Sequence, residues 1–158
     1  MFYRWFPRQA LLCQTEQDRV FWENFLKPGK GGNFWEIAAG DGAVGSHTIG
    51  LEMDHGWSGI IWEPGQIPRQ RAAGVRKCRV EGVPGEWKSD EKPDLLAIHR
   101  PGEFREVWEK LAAGRLRPGW VVVANASPDP CWARRLEAVG YRLKLFIHDD
   151  EYYGLEEK

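Results

Sequence analysis

The chain is short of the features that would place it among membrane, secreted or nucleic-acid-binding proteins. A net charge of −1 over 158 residues supplies no basic field for nucleic acid or anionic lipid. No apolar stretch reaches membrane-spanning length. Residues 1–12 carry Arg4 and Arg8 where a signal peptide needs a continuous apolar run, so they read as a short arm whose default state is fraying. There are three cysteines, Cys13, Cys78 and Cys131, with no Cys-x-x-Cys pair. An odd, scattered set of this kind fits reduced thiols used as small apolar fillers in a cytoplasmic protein. His47, His55 and His148 share no metal-ligand spacing, and no metal is expected. Internal repeats and low-complexity tracts are also missing.

What is present fits one globular domain over residues 13–158, since 42% hydrophobic and 28% charged residues suffice for a single core. Tryptophan is abundant, at nine residues, and most of these fall at helical or strand positions where a core would use them. Along the chain, helical patterns cover Glu16–Leu26, Ser46–Met53, Gln66–Ala73, Glu103–Ala112 and Pro130–Val139. Strand patterns cover Phe34–Ala39, Gly59–Trp62, Val75–Val80, Asp94–His99, Trp120–Ala124 and Tyr141–Ile147, with a short returning strand at Tyr152–Leu155. Residues 81–93 read as loop. Alternating strands and helices predict an α/β fold, a mostly parallel sheet with helices on both faces. Such sheets bind ligands outside the carboxyl ends of their strands, which gathers the Gly40 loop, Glu63, His99 and Asn125 on one rim.

Residues 34–48 read Phe-Trp-Glu-Ile-Ala-Ala-Gly-Asp-Gly-Ala-Val-Gly-Ser-His-Thr, and Glu63 ends the next apolar run. An apolar strand delivers the chain to a glycine turn that lets backbone approach a ligand closely. The helix after it is expected to offer unpaired N–H groups, and a carboxylate about 20 residues on can accept both hydroxyls of a ribose. Gly40, Gly42 and Gly45 formally satisfy the dinucleotide fingerprint. Asp41, however, stands between the first two glycines, where a pyrophosphate would approach, and Glu36 adds a second carboxylate inside the strand. Two fixed carboxylates repel a dianion and suit a cation. The expected cofactor is therefore S-adenosylmethionine, whose sulfonium and ammonium are positive; NAD is the less favoured reading.

Taken together these residues resemble the FkbM family of S-adenosylmethionine-dependent methyltransferases. Its core has the form Glu-Ile-Gly-Ala-x-Asp-Gly, Ser-Asn-Thr, Gly-Trp-x-Gly and Glu-Pro. Here the counterparts are Glu36–Gly42, Ser46-His47-Thr48, Gly56-Trp57-Ser58-Gly59 and Glu63-Pro64, with Gln14, Gln17 and Asp18 resembling an upstream Gln-x-x-Gln-Asp element. The resemblance implies a minimal Rossmann-like methyltransferase fold. It implies that Glu36, Ala38, Gly40, Asp41 and Gly42 lie along the methionine part of the cofactor and that Glu63 holds the ribose. Thr48 is either a cofactor contact or a helix residue. Gln17 and Asp18 either close over the cofactor or begin a helix.

The pattern breaks after the fourth strand. The family commonly carries Asp-x-Glu-Gly there; this chain has His99-Arg100-Pro101-Gly102, followed by Glu103 and Glu106 out of register. His99 and Glu103 become the candidate catalytic residues, His99 as a general base for a hydroxyl. The other reading of His99 is a strand-end histidine paired with Glu103 or backbone. The expected activity is O-methylation of a sugar or other small hydroxylated acceptor. Its rivals are a catalytically silent S-adenosylmethionine-binding module and an NAD-dependent oxidoreductase.

Overall fold

A computed structural model describes residues 18–27, 29, 31–82, 92–100, 105–124 and 130–156. The arm 1–12, Gln14, Gln17, Glu103 and Asn125 lie outside the described residues. The described elements are β1 (Asn33–Ile37), α1 (Ile49–His55), β2 (Ser58–Trp62), α2 (Gln66–Val75), β3 (Arg79–Glu81), β4 (Leu95–Ile98), α3 (Arg105–Ala112), β5 (Trp120–Val123), α4 (Pro130–Ala138), β6 (Tyr141–Ile147) and β7 (Asp150–Leu155). A leading helix from residue 18 passes into a π-helical turn, Trp22–Leu26, ahead of β1.

The strands form one sheet in the order β3-β2-β1-β4-β5-β7-β6. Strands β1 to β5 run parallel, and β7 enters antiparallel between β5 and β6. The expected parallel α/β sheet is therefore present, and the returning strand β7 is a full member of it, between β5 and β6. The central strands β1, β4 and β5 are almost wholly buried, as continuous apolar runs covered on both faces should be. Alternate residues feed two cores. Trp35, Ile37, Leu96 and Ile98 meet Val107, Trp108 and Leu111 of α3 and Trp132 and Leu136 of α4. Phe34, Leu95 and Ala97 meet Phe21 and Trp22 of the leading helix and Leu51 of α1. Helices thus lie on both faces, and six of the tryptophans are buried core residues.

Two expected elements differ. The helix anticipated from Ser46 begins only at Ile49, with Thr48 as its cap, while Ser46, His47 and Thr48 are bonded to Glu36 in a buried polar network. The third strand is shorter than its apolar pattern, Arg79–Glu81, since α2 continues to Val75. Among the described residues, no helix is long and apolar enough to cross a membrane.

Register fixes the rim. Ile37 pairs with both Trp62 and Ile98, Ile98 with Val123, and Val123 with Glu151. Ala38, Glu63, His99 and Ala124 therefore follow their strands, and Asp150 begins β7, at one end of the sheet.

Candidate active site

The turn after β1 is built from left-handed residues: Ala38 at φ 59°, Gly40 at 62° and Gly42 at 74°. This geometry turns the chain sharply out of the sheet while the Ala38 N–H stays bonded to the Trp62 carbonyl at 2.7 Å. The glycines differ in purpose. A Cβ on Gly40 would meet nothing within 4 Å, so the backbone there faces open space that a ligand can enter. A Cβ on Gly42 would stand 2.9 Å from the Ala72 Cβ, so that glycine permits α2 to pack against the turn.

Two carboxylates hold the turn. Glu63 accepts the Gly40 N–H at 2.8 Å with one oxygen and the Gly65 N–H at 2.8 Å with the other. It is 1% exposed, and the half-exposed Arg100 guanidinium covers it at 3.6 Å. Asp41 accepts the N–H groups of Ala43 and Val44, each at 2.9 Å, through one oxygen. The side chain takes up donors that a dinucleotide loop would aim at phosphate.

Glu36, in the middle of the sheet, is fully buried and the most heavily bonded group of the site. One carboxylate oxygen accepts the His47 N–H at 2.9 Å and lies 2.8 Å from Nε2 of His99. The other accepts the hydroxyls of Ser46, at 2.8 Å, and Thr48, and lies 3.4 Å from Arg76 Nη1. Burial disfavours its charge, but His99, Arg76 and Thr48 outweigh burial and hold its carboxyl well below the usual range. Arg76 comes from the end of α2 and also reaches the Gly42 carbonyl at 3.0 Å, Ser46, Thr48 and Glu52.

Beyond Glu36 lies a second buried group. His47 Nδ1 is 2.8 Å from Asp18 on the leading helix, and its Nε2 is 3.6 Å from Asp150. The Tyr152 hydroxyl reaches the same Asp18 oxygen at 3.4 Å. Burial works against the charge on His47, yet Asp18 foremost, then Asp150 and Glu36, push its pKa up to about 9. The His47 and His99 rings stack, with centroids 5.2 Å apart and planes 26° apart.

The rim expected from the sequence is therefore assembled in part. Gly40, Asp41, Gly42, Glu63 and His99 converge on it. The Glu36 and Thr48 side chains are buried and bonded to one another and to Arg76. The segment leading into α1 is also occupied. Ser46 Oγ accepts the Thr48 and Ile49 N–H groups at 3.3 and 3.2 Å, and Glu36 accepts that of His47, so these donors are not left for a ligand. The described partner of His99 is Glu36; Glu103 and Asn125 fall outside the described residues. Sequence reasoning missed His47, Arg76, Asp150 and Tyr152. Only His47 carried a signal, standing where the resembled motif has asparagine. Among the described residues, no group of three or more His, Cys, Asp or Glu is suited to a metal. A concavity of about 850 Å³, lined by Leu111, Val139, Tyr141 and Leu155 among others, lies at the opposite rim, away from this chemistry.

No family model and no curated protein matches the chain. Solved structures do. A precorrin-6y C5,15-methyltransferase from Geobacter metallireducens aligns with a TM-score of 0.61 at 18% identity, over 87% of this chain and 85% of that one. A protein from Pyrococcus horikoshii, described only provisionally as an RNA methyltransferase, gives 0.64 at 13%, over 90% and 81%. A TehB-like SAM-dependent methyltransferase from Corynebacterium glutamicum gives 0.53 at 14%, over 94% and 97%. At such identities the likeness is one of architecture, and this chain has the Rossmann-like methyltransferase fold.

Proposed function

We propose that this chain is an S-adenosylmethionine-dependent methyltransferase acting on an oxygen of a small hydroxylated acceptor, with a sugar as the leading candidate, and that it is related to the FkbM family. The observation that carries the cofactor reading is the seat formed by Gly40, Glu63 and Asp41 within that fold. Gly40 faces open space, Glu63 ends β2 as a carboxylate beside the turn, and Asp41 occupies the N–H groups that a pyrophosphate would need. A cationic, phosphate-free ligand fits this donor set better than NAD does.

Glu63 would hold the ribose diol, with Arg100 moving aside, and the Gly40 turn would lie along the methionine moiety. When bound, S-adenosylmethionine supplies a methyl on a positively charged sulfur, which is the leaving group. Asp41 sets the turn, and Glu36 holds His99 in place at the end of β4. An ionised carboxylate can only accept, so Glu36 takes the proton-bearing Nε2 of His99. That leaves the lone pair of neutral imidazole on Nδ1, where it can receive the acceptor's hydroxyl proton. The acceptor class rests on the FkbM resemblance; an RNA acceptor is disfavoured by the net charge of −1.

Calorimetry with S-adenosylmethionine and its demethylated product tests the cofactor reading, and methyl incorporation across hydroxylated acceptors tests transfer. Absence of binding heat, or thermal stabilisation by NAD in its place, overturns the proposal. A second reading, a silent cofactor-binding module, is favoured by the burial of His99, only 8% exposed. Binding without turnover on any acceptor would select it.

A further inference from the structure

Both histidines of the buried pair stand where the resembled motif carries other residues, asparagine at His47 and aspartate at His99, and the two face each other. The same oxygen of Glu36 accepts the His47 backbone N–H at 2.9 Å and meets His99 Nε2 at 2.8 Å. The two imidazoles then stack at 5.2 Å. One ring is pinned by a hydrogen bond along its edge; the other is pinned from outside the sheet. Asp18 of the leading helix binds His47 Nδ1 at 2.8 Å, Asp150 at the start of β7 stands 3.6 Å from its Nε2, and the Tyr152 ring meets it edge-on at 6.1 Å.

We propose that His47 is a positioning residue for His99: clamped between Asp18 and Asp150, its ring forms a fixed wall that holds the His99 imidazole in the orientation presenting Nδ1 to an acceptor. The inference rests on the reading of His99 as proton acceptor, but it makes a structural claim of its own. A single hydrogen bond to Glu36 leaves an imidazole able to swing about that bond. A stacked neighbour removes this freedom, and misplacing a catalytic group by about 1 Å can cost on the order of 100-fold in rate. The clamp further joins the leading helix, β4 and β7 at the acceptor end of the sheet, so that end is completed by a segment preceding β1.

The chain has four histidines, so nitrogen NMR of protein labelled at histidine resolves each ring. In the wild-type protein, neutral His99 should occupy a single tautomer with the proton on Nε2. His47→Asn should broaden or mix the His99 tautomers. It should also lower kcat roughly 10-fold or more, within the range a positioned base supplies, while the affinity for S-adenosylmethionine changes less than about twofold. A His99 spectrum unchanged in His47→Asn, or a wild-type His99 carrying its proton on Nδ1, overturns the proposal; the second measurement stands even if the variant does not fold. If the spectra behave as expected but the wild-type protein transfers no methyl, or His99→Ala turns over normally, positioning survives and the proposed reaction fails.

Discussion

Glu63 accepts the Gly40 N–H at 2.8 Å across 23 residues of sequence, joining the end of β2 to the turn that ends β1. The carboxylate is thus both a brace and the proposed ribose ligand, and the two roles separate by substitution. Glu63→Gln keeps an acceptor oxygen for one backbone N–H but turns an amide NH₂ toward the other. Leaving that donor unmatched should cost about 1–3 kcal/mol of stability. Affinity for S-adenosylmethionine should fall at least about tenfold, because an amide offers one neutral acceptor oxygen where the carboxylate offers two charged ones. Urea unfolding and calorimetry on the same protein read the two effects, and an unchanged dissociation constant removes Glu63 from the site.

The turn gives a second prediction with a magnitude that differs among neighbours. Ala38 sits at φ 59°, a left-handed conformation that costs an L-residue about 1–2 kcal/mol. Ala38→Gly relieves that strain but also frees the unfolded chain and removes a buried core methyl, so it should change stability by less than about 1 kcal/mol. Gly40→Ala should destabilise by strain alone, since its Cβ would meet nothing. Gly42→Ala should destabilise more, adding the 2.9 Å clash with Ala72 to the strain. Urea midpoints in any other order would show that backbone strain does not govern this turn.

Arg76 is the cation that balances the buried acids, reaching Glu36 and Glu52 together from α2. Arg76→Met leaves two carboxylates in the interior without their shared guanidinium, and should cost about 3–5 kcal/mol. Arg76→Lys should recover only part of this. An ammonium cannot reproduce the planar fork that serves Gly42, Ser46, Thr48 and Glu52 simultaneously. Full recovery of the unfolding midpoint by lysine would mean that charge alone matters.

How much of this was legible in the sequence follows the distance over which each contact acts. The β1–turn–β2 unit was readable because an apolar run, glycines and a terminal carboxylate lie close together and each has a local physical meaning. The start of α1 was misread because the helical pattern at Ser46 is overridden by Glu36, ten residues back, which claims the hydroxyls and the N–H for a buried network. The bond from His99 to Glu36 spans 63 residues, and that from Arg76 to Glu36 spans 40. Neither has a periodicity or spacing to betray it, so the internal bonds of this carboxylate could not be read from the sequence. The resemblance likewise marked His99 and His47 as departures, but their separation in sequence hid the fact that the two rings stack.

The buried charges set the pH dependence of stability, and the two flanks have different owners. Glu36 is held below its ordinary value of 4.5 in the folded protein, so its contribution is present above that pH and is lost as pH falls below it. His47 is raised from 6.5 to about 9, so its contribution is complete below 6.5 and disappears as pH rises through about 9. The groups facing His47 are Asp18 on the leading helix, Asp150 and Tyr152 on β7, Glu36 on β1 and His99 on β4. Burial pushes the Tyr152 phenol far above this window, and burial pushes the Cys78 thiol up to about 12, so neither produces the alkaline decline. Burial raises the Asp18 carboxyl above its ordinary value of 3.8, so its contribution too is lost as pH rises from there. The urea midpoint should fall on the acid side of about pH 4.5 through Glu36 and decline above pH 6.5 toward pH 9 through His47. In His47→Asn the alkaline decline should flatten while the acid flank persists. If the variant keeps the same alkaline decline, the charge on His47 is not what couples this fold to pH.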